Sequence, residues 1–493
     1  MGNCISNQTA DRPVQSAVTR KQNPQVKTVN SKREMEIQNR KDLFTDEEFP
    51  PIDSSYSDEG VSHVKWIRAS KIAQMQGKPP IFIDNSKASR FDVKQGEIGD
   101  CWFLAALSDL PTNRKLFDQV VPFQDFKRSN GKFYFRFWNY GRWQEVMVDD
   151  YLPAYSDGTL RSVKSGNNCE FWSALCEKAY AKFYGNYGLA LNGGFVAEAF
   201  EDLTGGIAEE ITLKNQYTNR LFKTLLQAYE KNCLMSASIL REDFERKSMG
   251  LPCGHAYSLN KVVQFSMLNG KTVQLLRVRN PWGNSKEWTG QWSDHSQCWN
   301  QVSNEVKNRL NLQAKNDGEF YISIKDFVKM FDQVTICHLG LESVDNKVKG
   351  WKKSEISQFW PQSLYNGLLT NQHQFLVQLN DTDQDGLCTL LVSVMQKGAR
   401  RRKGQGFEDT DAKIGFDLYR LNHPNEELPL NADFLFHNQP ESEMISYRRS
   451  ATKRFRLEPG SYVVMPKKDR WNESKEYLIR VCYEGKGDFY QLK

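Results

Sequence analysis

Polar residues dominate the chain to about residue 48, and apolar residues then arrive in groups whose spacing predicts the elements. The sharpest change falls at Gln95-Gly96-Glu97-Ile98-Gly99-Asp100-Cys101, a polar, glycine-bearing turn that runs into the unbroken apolar segment 102–107. That pattern predicts a buried helix opened by Cys101. Alternation over 133–138 and 143–148 predicts strands, and 170–180 reads as a second helix after an Asn-Asn turn. Asn192-Gly193-Gly194 and Thr204-Gly205-Gly206 interrupt the pattern and mark a boundary between two lobes. The second lobe opens with a helix over 219–229 and turns to strands at 235–240, 256–265 and 273–278, the last two antiparallel neighbours.

From about Trp351 short strands recur at 374–379, 387–395, 413–419, 453–457, 461–466 and 476–482, the spacing of a β-sandwich. The expected organisation is therefore α+β. It comprises a tail (1–48), a helical first lobe (49–193), a β-rich second lobe (194–345) and an antiparallel β-sandwich (346–493).

Composition narrows the class. The 493 residues include 12 tryptophans and 29 phenylalanines, enough for several cores. No apolar run approaches the ~20 residues of a membrane-spanning helix, and the N-terminus lacks the apolar region of a secretory signal. Ten cysteines are scattered with no C-x-x-C pair, which reads as a reduced, cytoplasmic protein. A net charge of +6 over this length does not imply nucleic acid, and no phosphate-binding glycine motif occurs. The tail carries Arg12, Arg20, Lys21, Lys27, Lys32 and Arg33 against Asp11 over its first 33 residues. It begins Met1-Gly2-Asn3-Cys4-Ile5-Ser6, which fits N-myristoylation at Gly2 with Cys4 open to palmitoylation. Two acyl chains, or one with a basic patch, hold an acidic phospholipid surface, so a membrane anchor is expected.

Candidate chemistry centres on Cys101. A thiol at a helix N-terminus sits among unpaired N–H groups and is expected to ionise more easily, although a single free cysteine is most often an inert core residue. Of seven histidines, His255 stands apart: Cys253-Gly254-His255-Ala256-Tyr257 sets it among small residues at the mouth of a strand. Arg279-Asn280-Pro281-Trp282-Gly283 then ends the next strand with an amide able to orient an imidazole, and with an indole to shield the bond. A lone histidine is usually structural and an asparagine before proline usually a turn. The order Cys…His…Asn is that of a nucleophile, a base and the group that orients the base.

These three stretches resemble the catalytic motifs of the calpains, calcium-dependent cysteine proteases with a papain-like two-lobed core and a C2-like sandwich. Further similarity lies in 170–182 (EFWSALCEKAYAK), 200–206 (FEDLTGG), Glu287-Trp288-Thr289-Gly290 and Asp317-Gly318-Glu319-Phe320. The resemblance implies Cys101 as nucleophile, His255 as base and then acid, Asn280 as orienter, and Gln95 as an oxyanion donor. It implies two Ca2+ sites in the core. One uses Asp92 and Glu170, with carbonyls from the loop 83–89 left unassigned because that loop departs from the family's. The other uses Glu287, Asp294 and Asp317 with the carbonyls of Lys315 and Glu319, one residue being inserted between Gly283 and Glu287. Arg90 and Glu319 match the pair that links the sites across the cleft. Trp282 matches the residue that wedges between separated lobes.

In the third domain Asp381-x-Asp383-x-Asp385-Gly386 begins like an EF-hand loop, but Val392 stands at position twelve and a strand follows, so a charged sandwich loop is expected. It leaves room for further calcium there. The cluster Lys397–Lys403 reads as a contact with acidic phospholipid or with the acidic loop, or as a solvated hairpin. No penta-EF-hand segment follows the sandwich, so pairing with a small penta-EF-hand subunit is not expected. The sequence thus reads as a calcium-dependent endopeptidase making limited cuts in intracellular proteins. The rivals are a catalytically silent, membrane-associated scaffold and a glutamine-directed acyl transferase, whose family motifs the chain does not resemble.

Overall fold

A computed structural model describes residues 43–57, 64–84, 87–340, 351–360, 372–380, 386–397, 413–423, 426–468, 476–483 and 487–492. The chain divides into Met1–Leu43 and Phe44–Lys493, and both lobes and the sandwich belong to the second unit. The tail with Gly2 and Cys4, the aspartates of the 381–386 loop, all of the basic cluster after Lys397, and His63 lie outside the described residues.

The first lobe is built on two helices, α1 (Cys101–Asp109) and α2 (Trp172–Tyr184), with the hairpin β1 (Lys132–Asn139) and β2 (Arg142–Asp149) against them. Every residue of α1 after Cys101 is buried, as the unbroken apolar run requires. Aromatic packing joins the pieces: Phe103 stacks on Tyr180 at 4.3 Å and Phe137 meets the same ring edge-on at 5.3 Å. A third helix, α3 (Val196–Thr204), buries Val196, Ala199, Phe200 and Leu203 in this same core. The core therefore changes at Gly205-Gly206, the second of the two glycine breaks, rather than between residues 193 and 194.

The second lobe is a six-stranded antiparallel sheet. Its strands are β3 (Ile207–Thr212), β4 (Leu234–Ile239), β5 (His255–Ser266), β6 (Thr272–Arg279), β7 (Glu319–Ser323) and β8 (Gln333–His338), in the order β3-β8-β4-β5-β6-β7. The helices Thr218–Glu230 and Ile324–Met330 supply Leu221, Leu225 and Phe327 to its core. Register places the site. Ser258 of β5 faces Arg279 of β6, and Arg279 faces Glu319 of β7. Antiparallel pairing thus gathers the start of β5, the end of β6 and the start of β7 at one sheet end, beside the first lobe.

The third domain packs two sheets. One is β9 (Lys352–Phe359), β11 (Cys388–Gln396), β14 (Ser450–Leu457) and β16 (Glu476–Tyr483), in the order β9-β16-β11-β14. The other is β10 (Phe375–Leu379), β12 (Ile414–Arg420), β13 (Ser442–Ser446), β15 (Gly460–Lys468) and β17 (Gly487–Gln491), in the order β13-β12-β15-β10-β17. Val392, Ile479, Phe416 and Val464 from the facing sheets fill one core. Buried ion pairs fasten this domain to the lobes. Arg449 reaches Asp202 Oδ1 (2.7 Å) and Glu201 Oε2 (2.9 Å), Arg480 pairs with Glu201, and Arg454 pairs with Glu209 beside His338.

Candidate active site

Cys101 is the first residue of α1, as the turn-to-helix pattern requires, and it remains partly accessible. Gly96 is needed in the preceding turn, because a Cβ there would stand 2.1 Å from the Arg161 carbonyl oxygen. The expectation of an easily ionised thiol is overturned. Burial pushes the Cys101 thiol up to about 11; the Ala256 and helix N–H groups work against that, and the neighbouring Asp100 adds to it. Desolvation outweighs the helix terminus.

His255 opens β5 and is buried. Its Nε2 lies 2.8 Å from Asn280 Oδ1. The amide orientation follows from its other partners: Nδ2 donates to the Lys286 carbonyl at 2.9 Å, and Oδ1 also accepts the Trp282 N–H at 3.0 Å. Since Oδ1 only accepts, the imidazole proton sits on Nε2 and Nδ1 is left as a base. Burial draws the imidazole down to about 4, with Asn280 opposing, so the ring is neutral. The Trp282 ring packs on the imidazole at 5.0 Å and shields the His255–Asn280 bond from water. Helix α1 packs against β5, and the Ala256 N–H favours the Cys101 thiolate from the residue after His255. A neutral thiol, a neutral base and an orienting amide can together generate a thiolate and deliver a proton.

Gln95 lies on the turn before Cys101. Its backbone N–H donates to the Pro281 carbonyl (2.9 Å) across the lobe junction, and its side-chain amide donates to the Ile98 carbonyl (2.8 Å). Its side chain also lies against the Asp100 carboxyl, which competes with an oxyanion for the second amide hydrogen.

Residues 44–338 match the family described as calpain family cysteine protease, and residues 363–482 match calpain large subunit, domain III. The chain belongs to the calpain family. Calpain clp-1 of Caenorhabditis elegans is 38% identical over 473 residues, covering 90% of this chain and 59% of the relative. Calpain-A of Drosophila melanogaster is 38% identical, covering 90% and 56%. The human calpain-2 catalytic subunit is 37% identical, covering 91% and 66%. The chain thus spans just over half to about two thirds of the length of these three relatives. A solved clostridial cysteine protease aligns over 84% of this chain at 10% identity and a TM-score of 0.21, which carries no argument. Family and architecture agree: a papain-like α+β core precedes a β-sandwich.

Calpain resemblance directs attention to two acidic groups. In the first lobe Glu170 accepts the Asp84 N–H (2.7 Å) and the Ser165 hydroxyl (2.5 Å), while Asp92 accepts the Ser89 N–H (2.6 Å). Burial raises Glu170 to about 7 against those bonds, and the charges of Asp92 and Asp84 add to it; Asp92 is raised too. In the second lobe the loop 315–319 is clamped by three carboxylates. Asp294 accepts the Lys315 N–H (2.9 Å), Glu287 that of Gly318 (2.7 Å) and Asp317 that of Glu319 (3.0 Å). Burial takes Glu287 to about 7, with Asp294 and Asp317 contributing. A cavity of about 160 Å³ lined by Asp294, Asp317 and Glu319 adjoins them. These are hard oxygen donors of the kind a divalent cation takes, although Arg90, Arg277 and Lys315 also line the cavity and Arg90 pairs with Glu319. Among the described residues, no three His, Cys, Asp or Glu side chains stand close enough to hold a metal ion, so backbone carbonyls or loop movement must complete either shell.

Between these groups Arg90 grips Glu319 with both prongs, Nη2 to Oε2 at 2.9 Å and Nε to Oε1. Asn260 donates to Oε1 at 2.8 Å and Arg277 stands 3.8 Å from Oε2. Arg279, fully buried, donates to the Val93 carbonyl at 2.9 Å, a second junction contact that sequence reading missed. Its place beside Asn280 was the available signal.

Proposed function

We propose that this chain is a calcium-dependent cysteine endopeptidase that makes limited cuts in protein substrates, its Cys-His-Asn triad assembled by closure of two lobes. The observation carrying the reading is the buried His255–Asn280 hydrogen bond at 2.8 Å, on a strand start that Cys101 also meets. His255 Nδ1 takes the Cys101 proton as the sulfur adds to the scissile carbonyl carbon. The oxyanion so formed is held by N–H groups at the α1 start and by the Gln95 amide. His255 then gives its proton to the leaving amine as the C–N bond breaks, leaving an acyl-thioester. Water, deprotonated by the same imidazole, releases the carboxylate and restores the thiol.

Asp92 and Glu170 would hold one calcium ion, and Glu287, Asp294, Asp317 and the carbonyls of Lys315 and Glu319 a second. Bound there, calcium neutralises crowded carboxylates and fixes their loops. Arg90 and Glu319 carry that ordering from lobe to lobe, and in the open state Trp282 wedges between them. Attachment to acidic membranes through Gly2, Cys4 and the basic tail, in the cytoplasm, belongs to the same reading. Intact-mass measurement of the protein from cells tests the acylation. The scaffold reading calls for a broken site, whereas Cys101, His255 and Asn280 are all present.

A peptidyl electrophile directed at thiol proteases tests the catalytic assignment. Mass spectrometry is expected to find the adduct on Cys101 in calcium and none in chelator. Labelling at other cysteines only, or equal labelling in both, overturns it.

A further inference from the structure

Immediately before Cys101, two carboxylic acids meet with no basic residue between them. Asp100 caps α1 through its backbone, its carbonyl accepting from Phe103 (2.8 Å) and Leu104 (3.0 Å). Its side chain is fully buried, and neither carboxylate oxygen finds a protein N–H or O–H donor at hydrogen-bond distance. Glu177 of α2, also fully buried, lies within hydrogen-bonding reach of Asp100. Glu177 otherwise takes only the Val163 N–H, at 3.0 and 3.2 Å, with the Ser162 hydroxyl nearby.

The other groups around the pair do not neutralise it. Lys178, next on α2, is turned to Asp149 and the Tyr151 carbonyl, and Arg161 is turned to Glu97 at 2.8 Å. Gln95 from the preceding turn approaches Asp100. The charge of Glu177 is felt at the Cys176 thiol and at the Tyr56 and Tyr187 hydroxyls, Tyr56 itself being bonded to Glu97, and Cys101 adjoins Asp100. Two ionised carboxylates cannot share so dry a site. One proton between them makes one group donor and the other acceptor, and gives one of the two orphaned Asp100 oxygens a partner. Burial raises both groups, Asp100 to about 7 and Glu177 well above its usual range.

We propose that Asp100 and Glu177 share one proton in the resting protein, and that this bridged pair is a positioning element that ties the Cys101 turn to α2 and limits the negative charge beside the thiol. The pair carries a single negative charge. Release of its last proton to solvent doubles that charge beside Cys101 and removes the bridge, which opposes thiolate formation at high pH. The pair acts through the turn and the local field and does not touch substrate.

Infrared spectroscopy of the full chain at neutral pH, wild type against Glu177→Gln and Asp100→Asn, reads the proton directly. The expected result is a protonated-carboxyl band in the wild type that either substitution removes, since each leaves a lone carboxylate with an amide donor. No band removed by either substitution overturns the proposal. Iodoacetamide alkylation of Cys101 against pH, followed by mass spectrometry, reads the field and needs no turnover, so it stands apart from the endopeptidase reading. Glu177→Gln leaves a single charge that cannot double, so half-maximal alkylation at high pH, where the wild-type pair loses its last proton, is expected about half a pH unit or more lower in the variant; coincident curves overturn the positioning role. Near-ultraviolet circular dichroism identifies a variant that fails to fold, and the other substitution then decides.

Discussion

Arg90 and Glu319 lie 229 positions apart in sequence and meet as a two-pronged ion pair across the lobe junction. Burial alone works to raise the Glu319 carboxyl, but the Arg90 hydrogen bonds and the Arg277 and Arg90 charges hold it below its usual range. The pair is fixed in direction as well as distance, because a guanidinium and a carboxylate in parallel leave little rotational freedom. Glu319 opens β7 next to the carboxylate-clamped loop, and Arg90 lies two residues from Asp92. Anything that orders one loop is felt at the other.

Arg90→Ala is therefore expected to raise the calcium needed for half-maximal activity about tenfold or more, from losing charge-assisted bonds worth about 1.5–3 kcal/mol. Glu319→Gln is expected to do less, because an amide keeps a hydrogen bond to Arg90. Calcium titration of peptide hydrolysis measures both, and unchanged curves sink the coupling.

Asn280→Ala removes the acceptor that fixes the His255 tautomer and ring plane. A drop in kcat of about 10²-fold is expected, with KM little changed, since the loss falls on proton transfer rather than substrate contact. A loss confined to KM would show that Asn280 serves binding instead.

The depressed His255 gives stability a pH dependence of known sign. In the folded chain it stays neutral down to about 4, whereas unfolded it takes a proton near 6.5. Between those values the unfolded state binds more protons, so this group's contribution is present above 6.5 and is lost as pH falls toward 4. The loss is on the order of 3 kcal/mol. Urea midpoints of wild type and His255→Gln across that window, compared by slope, check it. Parallel slopes would mean that the imidazole titrates normally.

Glu287 has the opposite sign. Its carboxyl is raised to about 7, so without a cation its ionisation opposes folding as pH climbs from 4.5 through 7. Glu287→Gln is expected to melt a few degrees higher than wild type in chelator at neutral pH, yet to gain less from added calcium. Thermal scans in both conditions decide. A lower melting point in chelator together with full calcium stabilisation would remove Glu287 from the ligand set.

Which parts of the molecule were legible in the sequence depends on which interactions are local. Helix α1 was legible because its whole apolar run is buried, and β1 was legible because its alternation survives in the fold. Strand β3 was missed: Ile-Ala-Glu-Glu-Ile-Thr looks too charged for a core sheet. Glu209 and Glu210 are held inside by Arg454 and Arg448, some 240 residues away. Helix α3 was missed for the same reason, since Arg449 and Arg480 arrive from the sandwich to pair with the buried Glu201 and Asp202, and Tyr180 and Tyr184 donate to Asp202 as well. The candidate site residues were readable as residue types, and their meeting is a matter of register. The ionisation of Cys101 was misjudged because a helix start is visible in sequence, whereas the depth at which it is buried is not.

Calcium is proposed to make Cys101 able to cut peptide bonds. Casein cleavage by the full chain, titrated with calcium beside Cys101→Ala, tests it most directly. Limited fragments are expected from the wild type only above a calcium threshold, and none from the variant at any concentration. Cleavage that persists in Cys101→Ala, or a wild type that stays silent at every calcium concentration, would contradict it.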